Sequence, residues 1–504
     1  MQTEQKKIGA FITELRKQQG MTQADLARQL KTSQSAVARI ERGEQNLSVD
    51  TLSRISRALN YQIVSLGTGA LNFQIVGGKK LKGSVTMSTS KNAAVGLLCA
   101  SLLNNGVTTL RHVPRIEEVY RLIEVLESIG VNVKWIEGND LKITPPKELN
   151  LAGLDAEAGA KTRSIIMFMG PLMHWTKSFD LPYAGGCKLG TRSVHPHLEG
   201  LEKLGLRVQV KESVYHVEVK RPKPAEIILS EAGDTVTENV LMAAAKIDGI
   251  TVIKYASANY MVQDVCFYLQ KLGVKIEGIG SSTLTIHGKS EINMDVTYAP
   301  SEDPIEAMSF LAAAIVTDSS ITLKRCPIDF LELELLYLSN MGFKYEIKKS
   351  YLADNGQTRL VDIQTLPSVL TALTDKIAPR PYPGINMDNL PFFVLIACKA
   401  KGRTLIHDWP YENRAIYYTE LTKVGGKVTL LDIHRAQVDG PVAFTAADIT
   451  TPPALRPAML ILIAMLSAKG TSMLRNVYSI NRGYEDIAEK FSKLGANIKV
   501  VRQL

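Results

Sequence analysis

Apolar residues Ile8, Phe11, Ile12 and Leu15 recur at helical spacing, and Gly20 closes that run. Thr22 and Asp25 make a capping-box pattern at the start of a second short helix through Leu26 and Leu30. Lys31-Thr32-Ser33 reads as a turn, with Ser33 placed to cap a third helix through Val37 and Ile40 to Gly43. Ser48 is placed to cap a fourth, with Leu52, Ile55 and Leu59 facing inward. The pattern therefore predicts a small all-α module over residues 1–67, followed by a short flexible join at Ser65–Ala70.

Beyond the join one motif keeps returning: an apolar helix, a Gly, then a short strand. It occurs at Leu122–Val133, Leu198–Val208, Phe267–Ile276, Leu336–Tyr345, Tyr418–Val428 and Glu489–Ile498. The marker glycines are Gly130, Gly205, Gly273, Gly342, Gly425 and Gly495, and each can close its helix in the left-handed conformation. Units this long hold several strands and two helices, which is more than a solenoid repeat holds. The expected architecture is α/β: six repeats forming two domains of three, with sheets outside and helices packed inward.

Composition narrows the setting. The 504 residues are 45% hydrophobic and 22% charged, enough for two or three ordinary cores. No apolar run is long enough for a spanning helix, and the polar N-terminus does not read as a signal peptide. Five scattered cysteines without a CxxC pair argue against a zinc site and for a reducing, cytoplasmic compartment. The net charge of +9 suits phosphorylated ligands or nucleic acid without choosing between them.

The most reactive-looking segment is Tyr183-Ala-Gly-Gly-Cys-Lys-Leu-Gly-Thr-Arg192. Its glycines allow tight turns that leave the Cys187 thiol uncovered, and Arg192 can hold an anion beside it and favour the thiolate.

Met21–Leu30 and Ser33–Gly43 resemble the phage-repressor-like helix-turn-helix family. In that family the helix beginning near Gln34 enters the major groove. The resemblance implies that Gln34, Ser35 and Arg39 face base edges and that Gln23 faces a phosphate of duplex DNA. One such module buries little surface, so useful affinity would need a homodimer.

Residues 71–504 resemble the enolpyruvyl transferase family, most closely its UDP-N-acetylglucosamine branch. The resemblance implies a two-domain inside-out α/β barrel: one lobe of about 90–300, the other of 71–89 plus 301–504. It implies transfer of the enolpyruvyl group of phosphoenolpyruvate to a hydroxyl of UDP-N-acetylglucosamine or a related acceptor, a step toward peptidoglycan, with no cofactor. Thr89-Ser-Lys-Asn-Ala-Ala94 matches the opening motif, with Lys91 for phosphoenolpyruvate and Asn92 for the sugar. Thr162-Arg-Ser164 brings Arg163, and Tyr411-Glu-Asn-Arg414 brings Arg414. Leu455-Arg456 brings Arg456, and Ile480–Glu485 brings Arg482. Cys187 falls at the family's general-acid thiol, Arg192 at its phosphate-binding arginine and Asp388 at its base. Asp388 is also placed to cap the helix from Leu390 to Ala397, and the two roles can coexist.

Three segments depart from the family pattern. Ala454 precedes Leu455-Arg456 where an Asp is usual. Arg192-Ser-Val-His-Pro-His197 replaces Arg-Pro-Val/Ile-Asp-x-His. Asp234-Thr-Val236 replaces a Ser-Val-Gly nucleotide loop, which puts a carboxylate where a diphosphate should approach unless Asp234 turns away or caps the helix starting near Thr235. Three readings follow: the UDP-N-acetylglucosamine enzyme, a transferase with another acceptor, or a DNA-binding regulator that senses a phosphorylated metabolite.

Overall fold

The computed structural model describes residues 71–504 except 161, 184–192, 212, 503 and 504. Before residue 71 it describes 9, 12, 13, 15–17, 20–30, 32–43, 51, 55, 58 and 59. The chain divides into two compact units, Met1–Leu71 with Arg502–Leu504, and Asn72–Val501.

In the small unit, Thr22 caps helix Gln23–Gln29 through reciprocal bonds with Asp25, the capping box expected from the sequence. Ser33 caps helix Gln34–Glu41 by accepting from Ala36 N at 3.2 Å. Ile12, Leu15, Leu26, Leu30, Val37, Ile40, Ile55 and Leu59 pack into one core. Ile8, Phe11, Ser48 and Leu52 lie outside the described residues.

The large unit arranges its strands in six sheets, four of four strands and two of three. Three sheets draw only on strands between Thr108 and Tyr298; the other three draw on Leu71–Thr86 and on strands from Ser320 to Arg502. Inside each group, three helices pack against one another. They are Lys91–Ala100, Asp234–Ala244 and Tyr260–Lys271 with the first three sheets, and Pro304–Val316, Leu390–Ala397 and Leu455–Ser467 with the other three. Every residue of Pro304–Val316 and Leu390–Ala397 is buried. A helix buried at every residue is covered on all sides, which places these helices inside the sheets and neighbouring helices that pack on them. The six marker glycines all have positive φ, from 86° at Gly273 to 101° at Gly205, the region open to glycine where a helix must turn into a strand.

The chain crosses between the two groups of sheets twice, and the two crossings pair with each other. Ser90 N donates to Ser301 O at 2.7 Å, Asp303 N donates to Ser88 O at 2.9 Å, and Thr89 bridges Glu302 in antiparallel fashion. No helix among the described residues is long and apolar enough to cross a membrane.

Candidate active site

A cavity of about 590 Å³ is lined by residues from both groups. Lys91, Asn92 and Arg163 line it from the first group; Asp388, Arg414, Arg456 and Arg482 line it from the other. Segments far apart in the chain thus bring seven of the expected residues to one space. Cys187 and Arg192 lie outside the described residues.

Lys91 and Asn92 open the buried helix Lys91–Ala100, whose cap Ser90 accepts from Asn92 N and Ala93 N. The Lys91 ammonium meets Glu118 Oε2 at 2.6 Å, and Asn92 Nδ2 donates to Tyr260 Oη at 3.1 Å. Glu118 Oε1 also accepts from Thr162 Oγ1 at 3.3 Å and Ser164 Oγ at 3.1 Å. Burial pushes the Glu118 carboxyl up, but Lys91, Arg482 and the Ser164 hydroxyl outweigh it and hold it down at about 2.

On the facing wall, two buried guanidinium groups flank Asp388. Arg414 Nη1 lies 3.6 Å from Asp388 Oδ1, and Arg456 Nη2 lies 3.3 Å from Oδ2. Burial opposes the charged carboxylate, but Arg456, Arg414 and Lys91 hold its pKa below the usual range. Asp388 does not cap the following helix. Asn389 occupies the cap position of Leu390–Ala397 without a side-chain bond, because the Asp388 carboxylate is turned to the two arginines. Arg414 is itself fixed by Asp408, which accepts from Nε at 2.5 Å and Nη2 at 2.7 Å, while Met387 O takes a second bond from Nη2 at 2.7 Å. Arg456 Nη1 donates to Tyr484 Oη at 2.9 Å. Arg414 Nη1 and Arg456 Nε are buried donors that make no hydrogen bond among the described residues. Leaving a buried donor without a hydrogen bond costs about 1–3 kcal/mol.

Asp234 lines the same cavity as the first residue of helix Asp234–Ala244, with Gly233 at the cap. It therefore does not cap a helix starting at Thr235, and both of its carboxylate oxygens are taken up by neighbouring side chains. Ser257 Oγ donates to its Oδ1 at 2.5 Å and Asn259 Nδ2 to its Oδ2 at 3.1 Å. Burial raises its pKa, Ser257 and Asn259 oppose the rise, and the nearby Asp388 and Glu231 add to it.

Sequence reasoning missed Glu118 and Asp408, which hold Lys91 and Arg414. Glu117-Glu118 sits in the first turn of helix Glu117–Ser128, where acids commonly answer the helix dipole, so its pattern gave no separate signal.

In the small unit, Gln34, Ser35 and Arg39 are exposed on helix Gln34–Glu41. Gln23 is held from behind: its Nε2 donates to Glu41 Oε2 at 2.8 Å, and Glu41 also pairs with the buried Arg16 at 2.5 Å.

Residues 75–491 match the family described as EPSP synthase (3-phosphoshikimate 1-carboxyvinyltransferase), and residues 12–66 match a helix-turn-helix family. The chain is 32% identical over 434 residues to UDP-N-acetylglucosamine 1-carboxyvinyltransferase of Bradyrhizobium diazoefficiens, covering 86% of this chain and 98% of that one. It is 33% identical over 427 residues to the protein of the same name from Campylobacter hominis, covering 84% and 98%. Among solved structures it resembles the enolpyruvyl transferase NikO from Streptomyces tendae, with a TM-score of 0.73 at 22% identity, over 86% of this chain and all of that one. EPSP synthase from Acinetobacter baumannii follows with a TM-score of 0.67 at 18% identity, again over 86% and 100%.

Proposed function

The chain belongs to the EPSP synthase family of enolpyruvyl transferases, and from that membership we propose that it transfers the enolpyruvyl group of phosphoenolpyruvate to a hydroxyl of UDP-N-acetylglucosamine, releasing phosphate. The observation that carries the proposal is the convergence of Lys91, Asn92, Arg163, Asp388, Arg414, Arg456 and Arg482 on one cavity. The lobes of this reading are about 90–300 and 71–89 plus 301–504. The setting is the cytoplasm, on the path to peptidoglycan.

Phosphoenolpyruvate carries a phosphate and a carboxylate, and the cavity offers cations from both lobes to hold them. As the acceptor oxygen bonds to C2 of phosphoenolpyruvate, its proton passes to Asp388 and C3 gains a proton. Loss of a C3 proton with the phosphate then restores the double bond. Asp388 suits the base role as an ionised carboxylate whose position two arginines fix. Cys187 as the acid and Arg192 as a phosphate ligand rest on the family resemblance.

The test is phosphate release from phosphoenolpyruvate in the presence of UDP-N-acetylglucosamine and a panel of other nucleotide sugars. The expected result is release that requires UDP-N-acetylglucosamine and that is abolished or strongly reduced in Cys187→Ser. Release with another sugar alone would replace the acceptor, and release with none would remove the reading.

The helix-turn-helix domain supports a second role. Residues 1–67 bind duplex DNA as part of a homodimer, through the exposed Gln34, Ser35 and Arg39 and through Gln23.

A further inference from the structure

A network beside Thr235 fixes the hydrogen of a buried ring. Asn239 is fully covered within helix Asp234–Ala244. Its Oδ1 accepts from Gly170 N at 2.8 Å, and its Nδ2 donates to Ile166 O at 2.9 Å. These backbone partners settle which end of the amide is which. The same Nδ2 lies 3.1 Å from Nδ1 of His197, a ring 2% exposed. A donor facing Nδ1 requires a lone pair there, so the neutral ring carries its hydrogen on Nε2. That nitrogen lies 3.4 Å from the hydroxyl of Thr235, which is exposed in the first turn of the helix. His197, Thr235 and Arg163 all line the cavity. Burial, and then Arg163, push the ring down to about 3, so it stays neutral at physiological pH. The arrangement needs Gly170, because a Cβ there would come within 2.3 Å of Asn239 O and 2.8 Å of Oδ1.

We infer that Asn239 is a positioning residue that holds His197 as an Nε2–H donor toward the anionic part of the acceptor, beside Arg163 and the Thr235 hydroxyl. A neutral donor reaches the anion without adding a second cation next to the half-buried Arg163. The inference rests on the acceptor being anionic, as UDP-N-acetylglucosamine is.

Three measurements on the full chain test it. Nitrogen NMR of histidine-labelled protein, with His197 assigned from its loss in His197→Gln, should show a bare Nδ1 and a protonated Nε2. A protonated Nδ1 in the neutral ring would overturn the inference. In turnover, His197→Gln keeps an amide donor near the place of Nε2, so the KM for UDP-N-acetylglucosamine should stay within about threefold of wild type. His197→Asn, which mimics the other nitrogen, should raise it tenfold or more, with the KM for phosphoenolpyruvate unchanged in both; equal effects on the two substrates would overturn the inference. Asn239→Leu should raise the acceptor KM severalfold in the wild-type background and less than twofold further beside His197→Gln. A merely structural asparagine would cost the same in both backgrounds, and that outcome too would overturn it. If wild type turns over no nucleotide sugar, the functional reading fails, and the Nε2 signal decides the inference alone. A shift on adding pyrophosphate supports it, and an unmoved signal overturns it.

Discussion

The Lys91 ammonium lies 2.6 Å from the Glu118 carboxylate, and the two side chains are only 15% and 13% exposed. The opening-motif cation is therefore neutralised by an acid, which phosphoenolpyruvate, on the proposed reading, must displace or share. In Glu118→Gln the cation loses its partner, and the KM for phosphoenolpyruvate is expected to fall while stability falls as well. The Glu118 carboxyl is lowered from the ordinary 4.5 to about 2. A carboxyl lowered on folding adds stability that is complete above pH 4.5 and is lost as pH falls through 2. At about 1.4 kcal/mol per pH unit this is at most about 3.5 kcal/mol. Urea unfolding of wild type and variant at pH 7, 4 and 3 checks it: the gap between them should narrow with acid, and a constant gap would contradict the assignment.

Asp408 is fully buried beneath Arg414 and also accepts from the Tyr418 hydroxyl. Removing one partner of a buried ion pair costs about 3–5 kcal/mol. Asp408→Asn keeps the shape and one acceptor, so the expected loss lies at or below the low end of that range. It should be accompanied by a lower kcat/KM for phosphoenolpyruvate, because Arg414 no longer points firmly at Asp388. Full stability with normal kinetics would show that Arg414 needs no such support.

Asp234 lines the cavity, and its pKa is raised. Acceptor affinity should therefore improve as pH falls into the range where Asp234 takes up a proton, because a neutral side chain no longer repels a diphosphate. Asp234→Ser should bind UDP-N-acetylglucosamine more tightly at pH 7, by up to about tenfold or 1.4 kcal/mol, and should flatten that pH dependence. Titration calorimetry on both proteins across pH 5–8 measures it. Equal affinities throughout would mean that Ser257 and Asn259 already neutralise the carboxylate.

Arg39 is exposed on the helix that presents Gln34 and Ser35. Arg39→Ala should relax base choice at one position of a bound duplex by about 1–3 kcal/mol, read by competition among single-base variants of a selected site. Wild-type binding should weaken steeply with salt. Full-length protein that shows no salt-sensitive binding would leave the module as a protein-interaction bundle.

What was legible along the chain was what neighbours decide. Thr22 and Asp25 lie three residues apart, and their reciprocal bonds follow from that spacing alone. Gly425 ends its helix in the left-handed region because few other residues enter it cheaply. The motif residues were legible through family resemblance, since nothing local announces that Lys91 and Arg482 line one cavity. The partners that tune them were not. Asp408 reads as an ordinary strand-end acid, and Asn239 as a polar residue in an apolar helix, until folding sets them against Arg414 and His197. Asp388 shows how local reasoning can be outvoted: it stands where a cap is useful, yet two distant guanidinium groups claim its carboxylate.

The strand Leu71–Gly77 lies between Gly470–Arg475 and Asn497–Arg502 in one sheet. This arrangement has a consequence in time as well as in space. A growing chain makes residue 71 well before its partners and must hold that strand without neighbours until residues 470–502 have emerged. The lobe containing Thr108–Tyr298 is contiguous and can close while synthesis continues. The expected order of completion is the helix-turn-helix module, then that lobe, then the other. The DNA-binding part would thus be finished on the ribosome while half of the cavity wall was still unmade.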